Sequence, residues 1–171
     1  MNWEWSLSHP LYDVEDVMEV ARVMLRAEPD SPFVVDEGYF RQCLTMATTY
    51  QLFDKTREFI AVCRSEDDKL LGYCWYDRGG YTTYSRDEIS NAKFHHVDLS
   101  LPTKTRVRLI NEMIDQHILW AHKNGIPVVC STSIREEHDV FMRIHQKRGF
   151  TVRGSYAWIR TEEAVKCLIN R

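Results

Sequence analysis

The strongest constraint on this chain is the run from Phe94 to Phe150, where strand-like and helix-like patterns alternate. It reads FHHVDLSLP, then TKTRVRLINEMIDQHILWAHKNG, then IPVVCSTS, then IREEHDVFMRIHQKRGF. In the first segment Val97, Leu99 and Leu101 alternate with His96, Asp98 and Ser100. That is the period of two of a half-buried strand, and it sets His96, Asp98 and Ser100 on one face. Pro102 ends the strand, because proline has no N–H to give a ladder. Thr103 or Thr105 is placed to cap the helix that follows. Val107, Ile110, Ile114, Ile118 and Ala121 then recur at helical spacing, and Asn124-Gly125 stops the helix. Ile126–Cys130 is apolar without alternation, which predicts a strand covered on both faces. A parallel pair of strands joined through this helix requires a right-handed crossover.

The rest of the chain supplies further elements. Trp3, Trp5 and Leu7 alternate as a first strand. From Asp13 to Ala27 the residues Val14, Val17, Met18, Ala21, Met24 and Leu25 make a helical stripe, which Pro29 and Pro32 break. Asp36 caps a second helix running to about Thr48, with Phe40, Leu44 and Ala47 on one side. Phe59–Arg64 and Leu70–Tyr76 read as antiparallel strands joined through the polar turn Ser65–Asp68. Arg78-Gly79-Gly80 ends the second of them, and Tyr81–Ser90 forms a polar, tyrosine-rich excursion. Thr151–Arg160 reads as a strand bent at Gly154, and Thr161 with Glu162 and Glu163 starts a short last helix. The order is β-α-α-β-β-β-α-β-α-β-α. It predicts one α/β domain over residues 1–171, with a central mixed sheet flanked by helices.

Charge and motifs then narrow the function. The net charge of −3 argues against a general nucleic-acid binder. From Thr103 to Arg153 there are nine basic and five acidic residues, a local excess that favours a small anionic ligand. Ordinary solvated helix faces account for that excess equally well. Five cysteines, odd in number and without a CxxC, read as reduced thiols of a cytoplasmic protein. No apolar run approaches the ~20 residues of a membrane span. The start MNWEWSLSHP has neither the basic residues nor the apolar core of a secretion signal. No metal site is expected: His95, His96 and Asp98 lack a fourth donor, and His117 and His122 are off the i, i+4 spacing of paired helical ligands. Ser131-Thr-Ser133 follows a strand, but without a G-x-S-x-G elbow, and there is no P-loop or G-x-G-x-x-G. The aromatic residues Trp3, Trp5, Tyr73, Trp75, Tyr76, Tyr81 and Tyr84 suit a packed core or a binding face, with packing the commoner use.

The order of elements resembles that of the GNAT superfamily of acyl-coenzyme A-dependent N-acyltransferases. The best local match is Phe141–Phe150, FMRIHQKRGF, similar to the family's helix ending in "lYeklGF". Pro102 stands where the family often closes its central strand, and the ungapped intervals from Pro102 to Gly125 to Gly149 reproduce the usual spacings. The resemblance implies transfer of an acetyl or other acyl group from acetyl-CoA, or another acyl-CoA, to an amine-bearing acceptor, a small molecule or a protein. The acceptor would approach past the first two helices and the Tyr81–Ser90 excursion.

In the family, the loop after the proline reads R-G-x-G-x-G/A, and its bare N–H groups wrap the cofactor's pyrophosphate. Here Thr105, Arg106, Arg108 and Ile110 stand in that loop and no glycine is left. Two readings stay open. In one, Lys104, Arg106 and Arg108, beside Thr105, replace backbone contacts with charged ones; in the other, the site no longer takes coenzyme A. Leu99, Leu101 and His138, the last in place of a frequent family asparagine, complete the implied cofactor contacts. His145 stands where the family often has the tyrosine that protonates the departing thiolate, and histidine can do that work near neutral pH. His96 or Asp98 is the implied base for the amine. The runner-up function is a catalytically silent protein of this fold, a binding or assembly component such as a phage structural protein.

Overall fold

Alternating apolar residues in the amino-terminal half become the strands and helices the pattern requires. The computed structural model describes residues 2–26, 33–133 and 138–153. They belong to two compact units, one made of 1–26 and 36–132, the other of 27–35 and 133–171.

The first unit is built on five strands in the order β1-β2-β3-β4-β5: β1 (Trp3–Leu7), β2 (Glu58–Ser65), β3 (Leu70–Gly80), β4 (Ile89–Val97) and β5 (Val128–Ser131). β1 to β4 pair antiparallel, and β4 and β5 pair parallel, so the sheet is mixed. Helices α1 (Val14–Arg26) and α2 (Glu37–Phe53) are joined to one sheet face by a shared apolar cluster. Val14, Val17, Met18, Ala21, Leu44 and Ala47 pack there with Ile60, Val62, Leu70, Tyr73 and Trp75. Helix α3 (Thr103–Lys123) covers the other face, where Leu109, Met113, Trp120 and Ala121 pack with Ala61, Cys63, Leu71, Cys74, Tyr76 and Val97. Burial pushes the Cys63 and Cys74 thiols up to about 12, so they sit there as neutral apolar groups.

Local signals acted as expected at several points. The Asp36 carboxylate caps α2 by accepting from Tyr39 N at 2.9 Å. α3 ends as Gly125 takes φ +67° and Ile126 N donates to Ala121 O at 3.0 Å, a Schellman closure that buries Ile126. In the second unit α4 (His138–Gln146) ends the same way, with Gly149 at φ +86° and Phe150 N donating to His145 O at 3.2 Å.

Several expectations need correction. The strand expected from Phe94 to Leu101 runs from Ile89 to Val97 instead. Asp98–Leu101 is a turn: the Asp98 carboxylate accepts from Ser100 N at 2.8 Å, and Leu101 N donates to Asp98 O at 3.1 Å. An aspartate that bonds its own backbone two residues on breaks a ladder that the Leu99/Leu101 alternation suggested. His96, Asp98 and Ser100 therefore do not share a strand face.

Second, neither Thr103 nor Thr105 caps α3. Pro102 holds the N-cap position without a side-chain hydrogen bond, and the Thr103 hydroxyl accepts from Arg106 Nη2 instead. Third, the buried face of α3 is rotated from the expected stripe toward Leu109, Met113, His117 and Trp120. Two polar residues enter it because each finds a partner: His117 Nε2 lies 2.7 Å from Ser90 Oγ, and Trp120 Nε1 donates to Lys55 O at 3.0 Å. Fourth, β5 is not covered on both faces, since Val128 remains 38% exposed. Thr151–Arg153 belongs to no strand among the described residues. The rest of that expected strand, and the expected helix from Thr161, lie outside the described residues.

Candidate active site

The geometry of β4 creates the site. β4 and β5 pair over four positions, from Ile89 with Val128 to Ala92 with Ser131. β4 then continues to Val97 with β3 as its only partner among the described residues. The register against β3 slips at the same place: Trp75 faces Phe94 while Tyr76 faces Ala92, which leaves Lys93 as the extra residue of a β-bulge. β5 itself ends at Ser131, so its whole length is paired and β4 runs on past its end from Lys93 to Val97. Asp98 N donates to Leu71 O at 2.9 Å. By the alternation of an antiparallel ladder, Phe94 and His96 then bond toward β3, while His95 and Val97 direct their backbone groups to the opposite edge, past the end of β5.

The same alternation sorts the side chains. His96 points to the α1–α2 face, where its ring meets Tyr73 at 5.1 Å and Phe94 at 4.9 Å, both edge-on. It is 6% exposed, and its Nδ1 lies 2.7 Å from the Tyr73 hydroxyl. His95 lies on the α3 face against Tyr76. Lys93, at the bulge, is held between Glu58 at 3.4 Å and Asp77 at 3.3 Å, over the Trp75 ring. One ammonium thus ties β2, β3 and β4 together beside the last β4–β5 pair.

At the far end of β4, α3 starts with backbone N–H groups that no side chain caps. Lys104 and Arg106 stand on this first turn and form no ion pair among the described residues. Arg106 Nε is buried without a hydrogen-bond partner, although its Nη2 reaches Thr103. Arg108 is placed elsewhere: Glu112 binds its Nε at 3.0 Å, and its guanidinium lies 4.2 Å from the Trp3 ring centre. The other Glu112 oxygen accepts from both Trp3 Nε1 and Trp5 Nε1, so this cluster seats β1 on α3. Thr105 is half-buried on the same first turn of α3.

Asp98 lies beside this turn. Burial raises its pKa, but the Lys69 ammonium at 2.7 Å and the Ser100 hydrogen bonds outweigh it and hold the carboxyl below its ordinary value. A carboxylate so engaged is a poor proton acceptor, and it shapes the loop between β4 and α3. Leu101 is buried in the α3-side core and Leu99 is 37% exposed in the turn. Sequence reasoning weighed Ser131 only as a nucleophile, yet its Oγ is buried without a partner at the last β4–β5 pair. Its place there follows from strand register, which no local pattern carries.

In the second unit His145 is buried between the rings of Phe141 at 4.5 Å and Phe150 at 4.9 Å, with Nδ1 3.0 Å from Phe141 O. Burial pushes its pKa down, against the raising effect of the Phe141 carbonyl. The side chain of His138 lies outside the description.

A stability effect follows from His145. A histidine lowered in the fold is neutral there, while the unfolded chain takes up a proton first. Stability is then full above about pH 6.5, falls as pH drops below it, and levels off beneath the lowered folded value. Melting temperature followed across this window drops with acid in the wild type and drops less in His145→Phe.

No protein-family model matches the sequence, and no curated protein matches it. Solved structures do match over nearly the whole chain. A glucosamine-6-phosphate N-acetyltransferase from Arabidopsis thaliana matches at TM-score 0.64 and 12% identity, covering 94% of this chain and 99% of its own. An aminoglycoside 6'-N-acetyltransferase from Acinetobacter baumannii matches at TM-score 0.67 and 12% identity, over 94% and 98%. A predicted acetyltransferase from Clostridium acetobutylicum, solved with acetyl-CoA, matches at TM-score 0.68 and 12% identity, over 95% and 98%. No helix among the described residues is long and apolar enough to cross a membrane.

Proposed function

We propose that this chain, whose fold is the GNAT fold, moves an acyl group from acyl-coenzyme A to an amine. The observation that carries the reading is the stretch of β4 that runs past the end of β5 beyond the Lys93 bulge, together with an uncapped helix start. The residues there fit the donor. Ser131 Oγ and Arg106 Nε are buried polar atoms without partners, and the α3 N–H groups have no cap, so each can serve an anionic, amide-bearing ligand at no cost to an existing bond. Lys104, Thr105 and Arg106 would hold its phosphates, with charged and hydroxyl groups doing what glycine N–H groups do in the resembling family. Ser131 and the outer edge of β4 would hold its extended arm. The thioester, when bound, supplies an activated acyl carbon.

His96 is the proposed base. It is the candidate that the α1–α2 face presents, whereas Asp98 is engaged by Lys69 and Ser100. The amine nitrogen bonds to the acyl carbon, the carbon–sulfur bond breaks, and the amine proton passes to His96 Nε2. The departing thiolate takes its proton from solvent, since the Nδ1–H of neutral His145 is given to the Phe141 carbonyl. Outer-edge N–H groups of β4 would stabilise the charge on the acyl oxygen.

The named neighbours act on a sugar phosphate amine and on aminoglycosides, which makes those two classes the first acceptors to try. Turnover is read as free thiol released from acetyl-CoA, with glucosamine 6-phosphate, aminoglycosides and simple polyamines offered in turn. Release that needs an amine supports the reading, and its absence with every class removes it. On the same assay Arg106→Ala raises the KM for acetyl-CoA about tenfold, the worth of one charge-assisted hydrogen bond, and leaves kcat near wild type. Equal KM values in the two proteins would take Arg106 out of the phosphate site.

A further inference from the structure

The Tyr73 hydroxyl stands apart from the other buried hydroxyls because its partner is the proposed base. Tyr73 is fully buried on β3, directly across the ladder from His96 on β4. Its oxygen lies 2.7 Å from His96 Nδ1, and the two rings meet edge-on at 78°. Phe94 closes the other side of the imidazole at 4.9 Å. The nearby Tyr76 hydroxyl, by contrast, donates to the Met113 carbonyl at 2.6 Å and does structural work alone.

A neutral imidazole carries one proton, and the hydrogen bond at one nitrogen decides the state of the other. Nε2 can take a proton from an amine only while Nδ1 bears the ring hydrogen. We infer that Tyr73 is a positioning residue for His96: its oxygen accepts from Nδ1–H, which fixes the ring's rotation and tautomer and presents Nε2 as the proton acceptor. This rests on the reading of His96 as the base. When Nε2 gains the amine proton, the same Nδ1–H···O bond remains in place beside the imidazolium, so no rearrangement of the pair is needed. The two edge-on ring contacts set the plane of the imidazole, and the hydroxyl selects between its two edges.

The tautomer is read without any assay of activity. Long-range proton–nitrogen spectra of protein labelled with 15N-histidine, with His96 assigned through His96→Gln, distinguish the two ring nitrogens. The expected wild-type pattern is a protonated Nδ1 and a bare Nε2, and Tyr73→Phe, which keeps the ring and its packing, shifts the population toward the other tautomer. A wild-type His96 with the hydrogen on Nε2 and a bare Nδ1 would overturn the inference, because Tyr73 would then be the donor and His96 no base. In turnover, Tyr73→Phe lowers kcat about tenfold with the KM for acetyl-CoA unchanged. An unchanged kcat in a variant that melts like wild type would equally overturn it. A wild type that turns over no amine fails the acyltransfer reading, while the spectra still decide the tautomer.

Discussion

His96→Asn lowers kcat for acyl transfer about 10²–10⁴-fold, the range a positioned general base contributes. Asparagine keeps a polar side chain of similar reach but cannot take a proton at neutral pH. The site predicts which other quantities stay still. Acetyl-CoA raises the melting temperature of the variant as it does that of wild type, because the proposed phosphate-holding groups Lys104, Thr105 and Arg106 sit on α3 and His96 sits on the α1–α2 face of β4. Asp98→Asn, by comparison, breaks the contact with Lys69 and loosens the β4–α3 turn, so its effect falls on the KM for acetyl-CoA more than on kcat. A full-rate His96→Asn enzyme beside a dead Asp98→Asn enzyme would reverse the two assignments.

The second large effect is on stability and comes from Gln51. Its side chain is buried at the end of α2 and binds three backbone groups: Nε2 donates to Ile60 O at 3.0 Å and to Ser8 O at 3.2 Å, and Oε1 accepts from Ile60 N at 2.7 Å. Ile60 O also receives Ser8 N, so it keeps one partner when Gln51 is lost. Ile60 N–H and Ser8 O do not. Gln51→Leu therefore leaves two buried backbone groups unmet, at about 1–3 kcal/mol each, or about 2–6 kcal/mol together. For a chain of this size that lowers the melting temperature by roughly 5–20 °C. A drop under about 2 °C would mean that water or a shifted backbone meets those groups. Gln51→Glu separates hydrogen bonding from shape, since it keeps the length and loses the amide donor.

Much of the fold was legible because its signals are local. Asp36 announced the start of α2 and Gly125 the end of α3, since each terminus is decided within a few residues. The parallel step from β4 to β5 followed from one helix between two apolar runs. What stayed hidden depends on partners far along the chain. Ser90 and His117 are polar in sequence, yet they bury each other across 27 positions, under a Tyr76 ring stacked 4.1 Å from the imidazole. Asp98 read as a strand residue because alternation does not register a side chain that bonds its own backbone.

The candidate site was half legible for the same reason. His96 and the cations after Pro102 were named from motif and spacing, while Tyr73, Ser131 and the Lys93 bulge emerge only when strands are placed in register. Arg108 shows the converse: its charge suited a phosphate, and Glu112 with Trp3 had already engaged it.

The central proposal is that the edge of β4 past the end of β5, with the first turn of α3, holds an acyl-coenzyme A. The most direct test is the melting temperature of the wild-type chain across a titration of acetyl-CoA. A ligand that binds only the folded state adds about 2.7 kcal/mol at a hundredfold excess over its Kd, which for this chain is a rise of roughly 5–11 °C. The account predicts that rise, reduced in Arg106→Ala at equal ligand. A melting temperature that stays constant into the millimolar range of acetyl-CoA would contradict it.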